Sequence, residues 1–449
     1  MSDSSKPKSV ITKFGYPTIL TAVFIYFAQG LRSFASTAST LYFKSKFNLD
    51  PTEITLVGTI TFLAWYLKPI YGLISDCFPL FGYRRRSYLF LAGLLGIFSY
   101  LYIYFAESPN IAVTCLVLGE FSQAISDVIC DGFLVKRSKI DLVNGAHDLQ
   151  KVSWSTSHLA SMIGMISGGF AADYFDPTYL VCALAVCPLL VLFSSFVIPD
   201  KRVEKRLKCA ENFERVWESL KTLWGKLTEK ETLRIILFTF CWQSSSIAFA
   251  AIYVYFLLDV ILVQPSTISI MMFVGYLGSF IGTVFSGNGL KMGLINRLLL
   301  GRILYNIVSL LDIVLFTKSY QCLGLSYHLF LFGSSSLGSI FDMYFSQMPL
   351  LIIFANISPP NIEATFFAAV SAIFNISSKL SEVFASLIMY CTGINDPHSQ
   401  SIWMLTAISM AIGIVSLVFI FILPKSVEIR ETSPGDVEEY KDMELPLLK

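Results

Sequence analysis

Glu120, Asp127 and Asp131 stand seven and four residues apart inside an otherwise apolar stretch. At about 100° per residue, an α-helix with that spacing carries three carboxylates on one narrow stripe. Carboxylates held away from water need a cation, a hydrogen-bond donor or a proton. Groups of the right kind occur elsewhere in the chain. Arg32 lies among Gln29, Ser33, Ser36 and Thr40 on a polar helix face, and Lys68 directly precedes Pro69. A guanidinium grips a carboxylate through two parallel hydrogen bonds, so Arg32 can clamp an anionic solute or lock onto Asp127 or Asp131. Lys68 can hold an anion, snorkel to an interface or pair locally. Asp312, Asp342, Lys379 and Glu382 are further ionisable residues within apolar stretches, the last two close enough on a helix to neutralise each other. His158 can relay a proton, but a lone membrane histidine is more often a hydrogen-bonded packing residue.

The elements that must position these groups follow from composition. With 54% hydrophobic residues and only 14% charged, and a mean hydropathy of +0.64, the chain cannot clothe a water-facing surface. A bilayer core of ~30 Å takes ~20 apolar helical residues per crossing. Such windows recur near 16–42, 51–78, 87–106, 109–135, 149–172 and 177–198, and again near 233–258, 265–285, 297–316, 323–356, 363–390 and 401–423. The expected fold is an all-α membrane protein of about twelve spans in two pseudo-symmetric six-helix bundles. An ionisable residue at mid-membrane costs about 2.5 to 3.5 kcal/mol unless it faces water or a partner, so the charges above predict a wet interior. Glycines at Gly164, Gly168, Gly275, Gly278 and Gly282 predict close helix contacts.

The boundaries are expected to be an N-terminal tail over 1–15, helical bundles over 16–198 and 233–423, an amphipathic linker over 199–232 and a disordered tail over 424–449. Lys6, Lys8 and Lys13 precede a run longer than a signal-peptide core, so the first helix is expected to stay as an anchor. In the linker, Phe213, Val216, Trp217, Leu220, Leu223, Trp224 and Leu227 share one helical stripe. Short loops rich in Lys and Arg, with Arg84 to Arg86 and Lys136 to Lys139 foremost, put both termini in the cytosol under the positive-inside rule. The plasma membrane is the default location. Nine scattered cysteines lack metal-site or redox spacing, and 33 basic against 32 acidic residues leave no basic excess for nucleic acid. Metal sites and organic cofactors are not expected. Without a nucleophile–base constellation or a phosphate-cradling glycine loop, an enzyme is not expected either.

Gly72 and Gly287 are separated by 215 positions, as are Asp127 and Asp342. Equal offsets fit parallel six-helix repeats, in which Asp127 and Asp342 would face one another across a central cavity.

The run Lys68-Pro69-Ile70-Tyr71-Gly72-Leu73-Ile74-Ser75-Asp76, followed by Gly82-Tyr83-Arg84-Arg85-Arg86, resembles the folate-biopterin transporter family, a branch of the major facilitator superfamily. Tyr26 to Gly30, Ser126-Asp127 through Asp131-Gly132, Asp148-Leu149-Gln150 with Trp154, and Glu363-Ala364-Thr365 with Asn375 extend the likeness over most of the transmembrane region. Lys379 and Glu382 depart from it, standing where small or neutral residues are expected.

The resemblance implies the major facilitator fold and uptake of folates or pterins such as biopterin by a monomeric, proton-coupled carrier. On that reading Asp127 or Asp342 accepts hydrogen bonds from the amino-pyrimidine edge, Tyr253 or Tyr255 stacks on the ring, Arg32 or Lys68 takes a glutamyl carboxylate, and Gln29 completes the substrate site. Glu120 and Asp131 are the proton-coupling candidates. Gly72, Asp76, Gly82, Arg84, Arg85 and Arg86 form a conformational latch, with Asp76 beside the arginines. The residues alone leave two other readings open. One is a carrier of another charged metabolite, such as a sulfonium cofactor or an amino-acid derivative; the other is a receptor or scaffold that moves no solute.

Overall fold

Prolines and short polar breaks divide long apolar runs into the helices of this protein. The structure is a computed structural model that describes residues 9–49, 51–203, 209–286 and 292–424. In chain order the helices are α1 (Val10–Phe14), α2 (Tyr16–Leu31), α3 (Ser33–Phe47), α4 (Pro51–Tyr66), α5 (Lys68–Cys77), α6 (Arg86–Tyr102), α7 (Pro109–Ser138), α8 (Gly145–Tyr174), α9 (Pro177–Ala183) and α10 (Val186–Val197). They continue as α11 (Cys209–Thr228), α12 (Lys230–Ser244), α13 (Ala250–Tyr255), α14 (Pro265–Phe285), α15 (Leu294–Phe316), α16 (Tyr327–Asp342), α17 (Met348–Ile357), α18 (Glu363–Thr392) and α19 (Trp403–Val415). Among the described residues, nine helical stretches are long and apolar enough to cross a membrane, and α2 is apolar but shorter. The all-α membrane architecture expected from composition is the one observed.

Several expected spans are broken rather than continuous, each with a local cause. Span 51–78 divides at Leu67, because Pro69 has no N–H to continue the helix. The hydroxyl of Tyr71 donates to the carbonyl of Ala64 at 3.1 Å beside that break. Span 16–42 divides at Arg32, whose N–H turns back to the carbonyl of Gln29 at 3.3 Å. Span 233–258 divides between α12 and α13, where residues 246–249 form no helix. Span 323–356 keeps its direction through a widened turn, Met343–Gln347, which joins α16 to α17.

The chain separates into two compact units. The first comprises Met1–Arg137, Lys151–Lys226 and Ser358–Asn375; the second comprises Ser138–Gln150, Leu227–Ile357 and Ile376–Lys449. Within the first, α10 packs on α2 and α6, α3 packs on α9, and a core forms around Tyr42, Phe43, Tyr100 and Ile103. A Cβ at Gly30 would overlap the carbonyl of Ser157, so α2 and α8 meet backbone to backbone. Gly164 in the same interface lies against Ser33. In the second unit α16 packs between α14 and α15, with Phe256, Leu257, Leu315 and Leu331 in its core. Gly278 lies against the carbonyl of Ser336 there.

The expected linker stripe forms α11, on which Trp217 and Trp224 are 72% and 71% exposed. The side chain of Phe213, the loop from Gly287 to Lys291 and the tail beyond Pro424 lie outside the described residues.

Candidate functional site

The three acids of α7 are bound by a rising series on the helix facing them. Tyr26, Gln29 and Arg32 recur every third residue, and they meet Asp131, Asp127 and Glu120 in reverse order, as antiparallel helices require. The hydroxyl of Tyr26 donates to Asp131 Oδ1. Gln29 Nε2 donates to Asp127 Oδ1 at 2.6 Å. Arg32 Nη2 lies 2.9 Å from Glu120 Oε1 and 2.8 Å from Oε2. Lys68, delivered by the break before Pro69, places its Nζ 2.5 Å from Asp127 Oδ2. Lys68, Asp127 and Asp131 are each 5% exposed, so the contacts at Asp127 and Asp131 are dry and the Lys68 and Asp127 charges depend on each other.

Trp65 joins the two ion pairs. Its indole N–H donates to Glu120 Oε2 at 2.7 Å. Its ring centroid lies 4.9 Å from the guanidinium carbon of Arg32 and 4.7 Å from Lys68 Nζ. One aromatic face system thus serves two cations at cation–π distance. Arg32, expected on Asp127 or Asp131, takes Glu120 instead. The register of the paired helices puts Arg32 opposite Glu120, and Asp127 is already occupied by Lys68 and Gln29. His158 approaches this group through aromatic contacts: its ring lies 5.8 Å from that of Trp154, which stands edge-on to Tyr26 at 6.1 Å.

Near the end of α5, Asp76 engages a helix terminus. Asp76 Oδ2 accepts the backbone N–H of Thr365 at 2.9 Å and its hydroxyl at 2.8 Å. The first turn of α18 has unsatisfied N–H groups and the positive end of the helix dipole, both of which attract a carboxylate. Asp76 is therefore drawn to that turn, and among the described residues it forms no ion pair with Arg84, Arg85 or Arg86. A Cβ on Gly72 would stand 2.7 Å from Thr365 Cα and 2.8 Å from the carbonyl of Ala364. The crossing of α5 over α18 accordingly admits no side chain. Gly132 of α7 meets Ala364 from the other side.

The arginines of the loop tie its own backbone. Asp200 Oδ2 accepts the N–H of Arg85 at 2.7 Å and of Arg86 at 3.1 Å, capping α6. Arg85 Nη2 donates to the carbonyl of Gly132 at 3.2 Å, and its guanidinium lies 5.6 Å from the Phe133 ring. Burial lowers the proton affinity of Arg85, with Asp76, Glu363 and Asp200 opposing that shift. Arg86 stacks on Tyr83 at 5.6 Å, and Arg84 is half-buried. Gly82 adopts φ +84°, a left-handed conformation suited to glycine, and its carbonyl accepts from Val203 at 2.8 Å.

The second unit carries a different set of charges. Tyr253, expected to stack on a ring, is half-buried and donates its hydroxyl to Asp312 Oδ1 at 3.3 Å, with its ring edge-on to Phe316 at 5.4 Å. Asp342 sits where α16 widens, and that turn brings Gln347 over it, with Nε2 3.2 Å from Oδ2. Widened turns of this kind recur at functional positions. Lys379 and Glu382 pair with each other at 2.8 Å and are well exposed. A cavity of about 640 Å³ lies near the ends of α12 and α19, lined by Lys230, Arg234, Ile295 and Phe421 among others, away from these charges.

With the geometry in hand, comparison with known proteins is decisive. The sequence profile of the BT1 family matches residues 29–440. The chain belongs to the BT1 folate-biopterin transporter family. Membership makes it a membrane transporter and not an enzyme. Among its relatives, the "Folate-biopterin transporter" of Synechocystis sp. is 28% identical over 93% of this chain and 85% of that protein. "Folate transporter 2" of Plasmodium falciparum is 24% identical over 94% of this chain and 93% of that protein. Among solved structures, the major facilitator superfamily proton:xylose symporter XylE, bound to 6-bromo-6-deoxy-D-glucose, superposes with a TM-score of 0.61. It is 14% identical, over 92% of this chain and 95% of that one. The fold of this BT1 family member is therefore the major facilitator fold.

Sequence reasoning overlooked three side chains of these sites. Trp65 could have been found from its position three residues before Lys68. Gln123, wholly buried one turn from both Glu120 and Asp127, has neither amide atom hydrogen-bonded among the described residues. Arg302 of α15, 6% exposed, lies inside the 297–316 window. No spacing signal marks Arg302, since the backbone group it binds, the carbonyl of Trp242, has no signature in the sequence.

Proposed function

We propose that this BT1 family member is a secondary transporter of folates and pterins, driven by protons and working by alternating access. The observation that carries the proposal is the exchangeable partnership at Asp127. Its carboxylate is held by an amide N–H from Gln29 and an ammonium from Lys68. The amino-pyrimidine edge of a pterin offers two neutral N–H donors side by side, and can replace the Gln29 amide on that carboxylate. Asp342, held by Gln347 alone among the described residues, offers the same chemistry in the second unit. Tyr253 supplies an aromatic face. Arg32 and Lys68 would have to trade Glu120 and Asp127 for a solute carboxylate, which couples their release to loading.

Asp131 is the proton carrier in this account. Tyr26 holds it, and among the described residues no cation lies within ion-pairing distance. Glu120, gripped by Arg32 and Trp65, orients Arg32. Asp76, Gly72 and the loop from Gly82 to Arg86 form the latch, which closes on the first turn of α18. The carrier is a monomer in the plasma membrane, and its basic loops favour cytosolic termini.

Purified protein in liposomes with an imposed pH gradient tests the proposal. It should accumulate labelled folate or biopterin, each competing with the other, and lose accumulation when the gradient is collapsed. Uptake of neither compound, or uptake of an unrelated anion in preference to both, would refute it.

A further inference from the structure

The charges of the first unit are spoken for: Arg32 by Glu120 and Lys68 by Asp127. Arg302 in the second unit is not. It is 6% exposed, and among the described residues no carboxylate lies within ion-pairing distance of it. Asp342 acts on it only through space, its own carboxylate being bound by Gln347. A guanidinium has five N–H donors in a flat fork. Nη1 donates to the Ser246 hydroxyl at 2.8 Å and Nη2 to the carbonyl of Trp242 at 3.0 Å, while Nε has no hydrogen-bond partner among the described residues. The guanidinium carbon lies 4.2 Å from the centroid of the Trp242 ring. A buried cation against an indole, with donors to spare and no ion-pair partner among the described residues, can receive an anion.

The surroundings agree. Ser246 stands in the interruption between α12 and α13, and irregular backbone at membrane depth occurs where it is packed in protein or lines a cavity. That interruption is held by other groups as well: Ser381 Oγ donates to the carbonyl of Ser246 at 2.6 Å, and Ser409 Oγ to that of Ile247 at 2.6 Å. Arg302 is thus more than a brace for a broken helix.

We infer that Arg302 is a further carboxylate-binding group of this transporter, holding one of the two carboxylates of a glutamyl tail beside the indole of Trp242. The inference rests on the folate and pterin reading and deepens it. Arg302 selects solutes with a glutamyl tail, and a pterin that has no carboxylate gains nothing from it.

The test is a binding titration of the purified full-length carrier in detergent with three probes: folate, biopterin and p-aminobenzoylglutamate. Arg302→Gln should weaken folate and p-aminobenzoylglutamate by about tenfold or more and leave biopterin unchanged. Arg302→Lys keeps the charge and the bond to Trp242 but not the fork. It should fold even if Arg302→Gln does not, and should show the same selective loss at smaller size. Unchanged folate affinity in both variants, or equal loss of folate and biopterin in a variant that elutes and melts like the parent, would overturn the inference alone. A parent protein that binds neither folate nor biopterin would overturn it together with the proposed function.

Discussion

Lys68 Nζ lies 2.5 Å from Asp127 Oδ2, each residue 5% exposed. The pair exists because Pro69 ends the helix hydrogen bonding at Leu67 and turns Lys68 toward α7. Removing one partner of a buried pair strands the other charge and costs about 3–5 kcal/mol. Asp127→Asn should therefore lower the melting temperature of the purified carrier markedly. Lys68→Met combined with Asp127→Leu should recover most of that loss while leaving uptake abolished. Thermal unfolding of the three proteins checks this, and additive losses in the double variant would contradict it.

A second expectation concerns Trp65, which serves Glu120 by its N–H and both cations by its ring. Trp65→Phe keeps a ring for Arg32 and Lys68 but removes the donor to Glu120. A hydrogen bond to a charged group contributes about 1.5–3 kcal/mol. The variant should be destabilised by that order, whereas Trp65→Leu should lose more, as denaturant or thermal titration would read directly.

At the latch, the cap is separable from the crossing. Asp76→Asn keeps an oxygen for the Thr365 N–H, while Asp76→Ala leaves that donor bare and should cost about 0.5–2 kcal/mol. Gly72→Val puts carbon where the backbone of α18 already stands. It should abolish uptake even in protein that still inserts and elutes as the parent does. Initial rates per mole of folded carrier give the comparison, and normal rates in Gly72→Val would remove the crossing from the transport cycle.

How much of this was legible in the sequence depends on whether a side-chain pattern encoded it. The three acids of α7 were legible because periodicity alone puts Glu120, Asp127 and Asp131 on one stripe. The divided helix at Pro69 was not, because 51–78 reads as one unbroken apolar window. The partner assigned to Arg32 was not, because it depends on the register between α2 and α7, which neither helix specifies by itself. Asp76 had arginines near it in sequence but bound Thr365, since a helix terminus offers donors that composition does not display. The interruption between α12 and α13 was invisible for a related reason: residues 246–249 are as apolar as their neighbours, and the serines that brace them, Ser381 and Ser409, come from distant helices.

The measurement that bears most directly on the account is folate transport by Asp131→Asn in liposomes, read in two modes. With Tyr26 still able to hold the amide and no proton to carry, the variant should exchange labelled for unlabelled folate at near parental rates. It should fail to accumulate folate against its gradient when a pH difference is imposed. Accumulation equal to that of the parent, with the same dependence on the pH difference, would contradict the account.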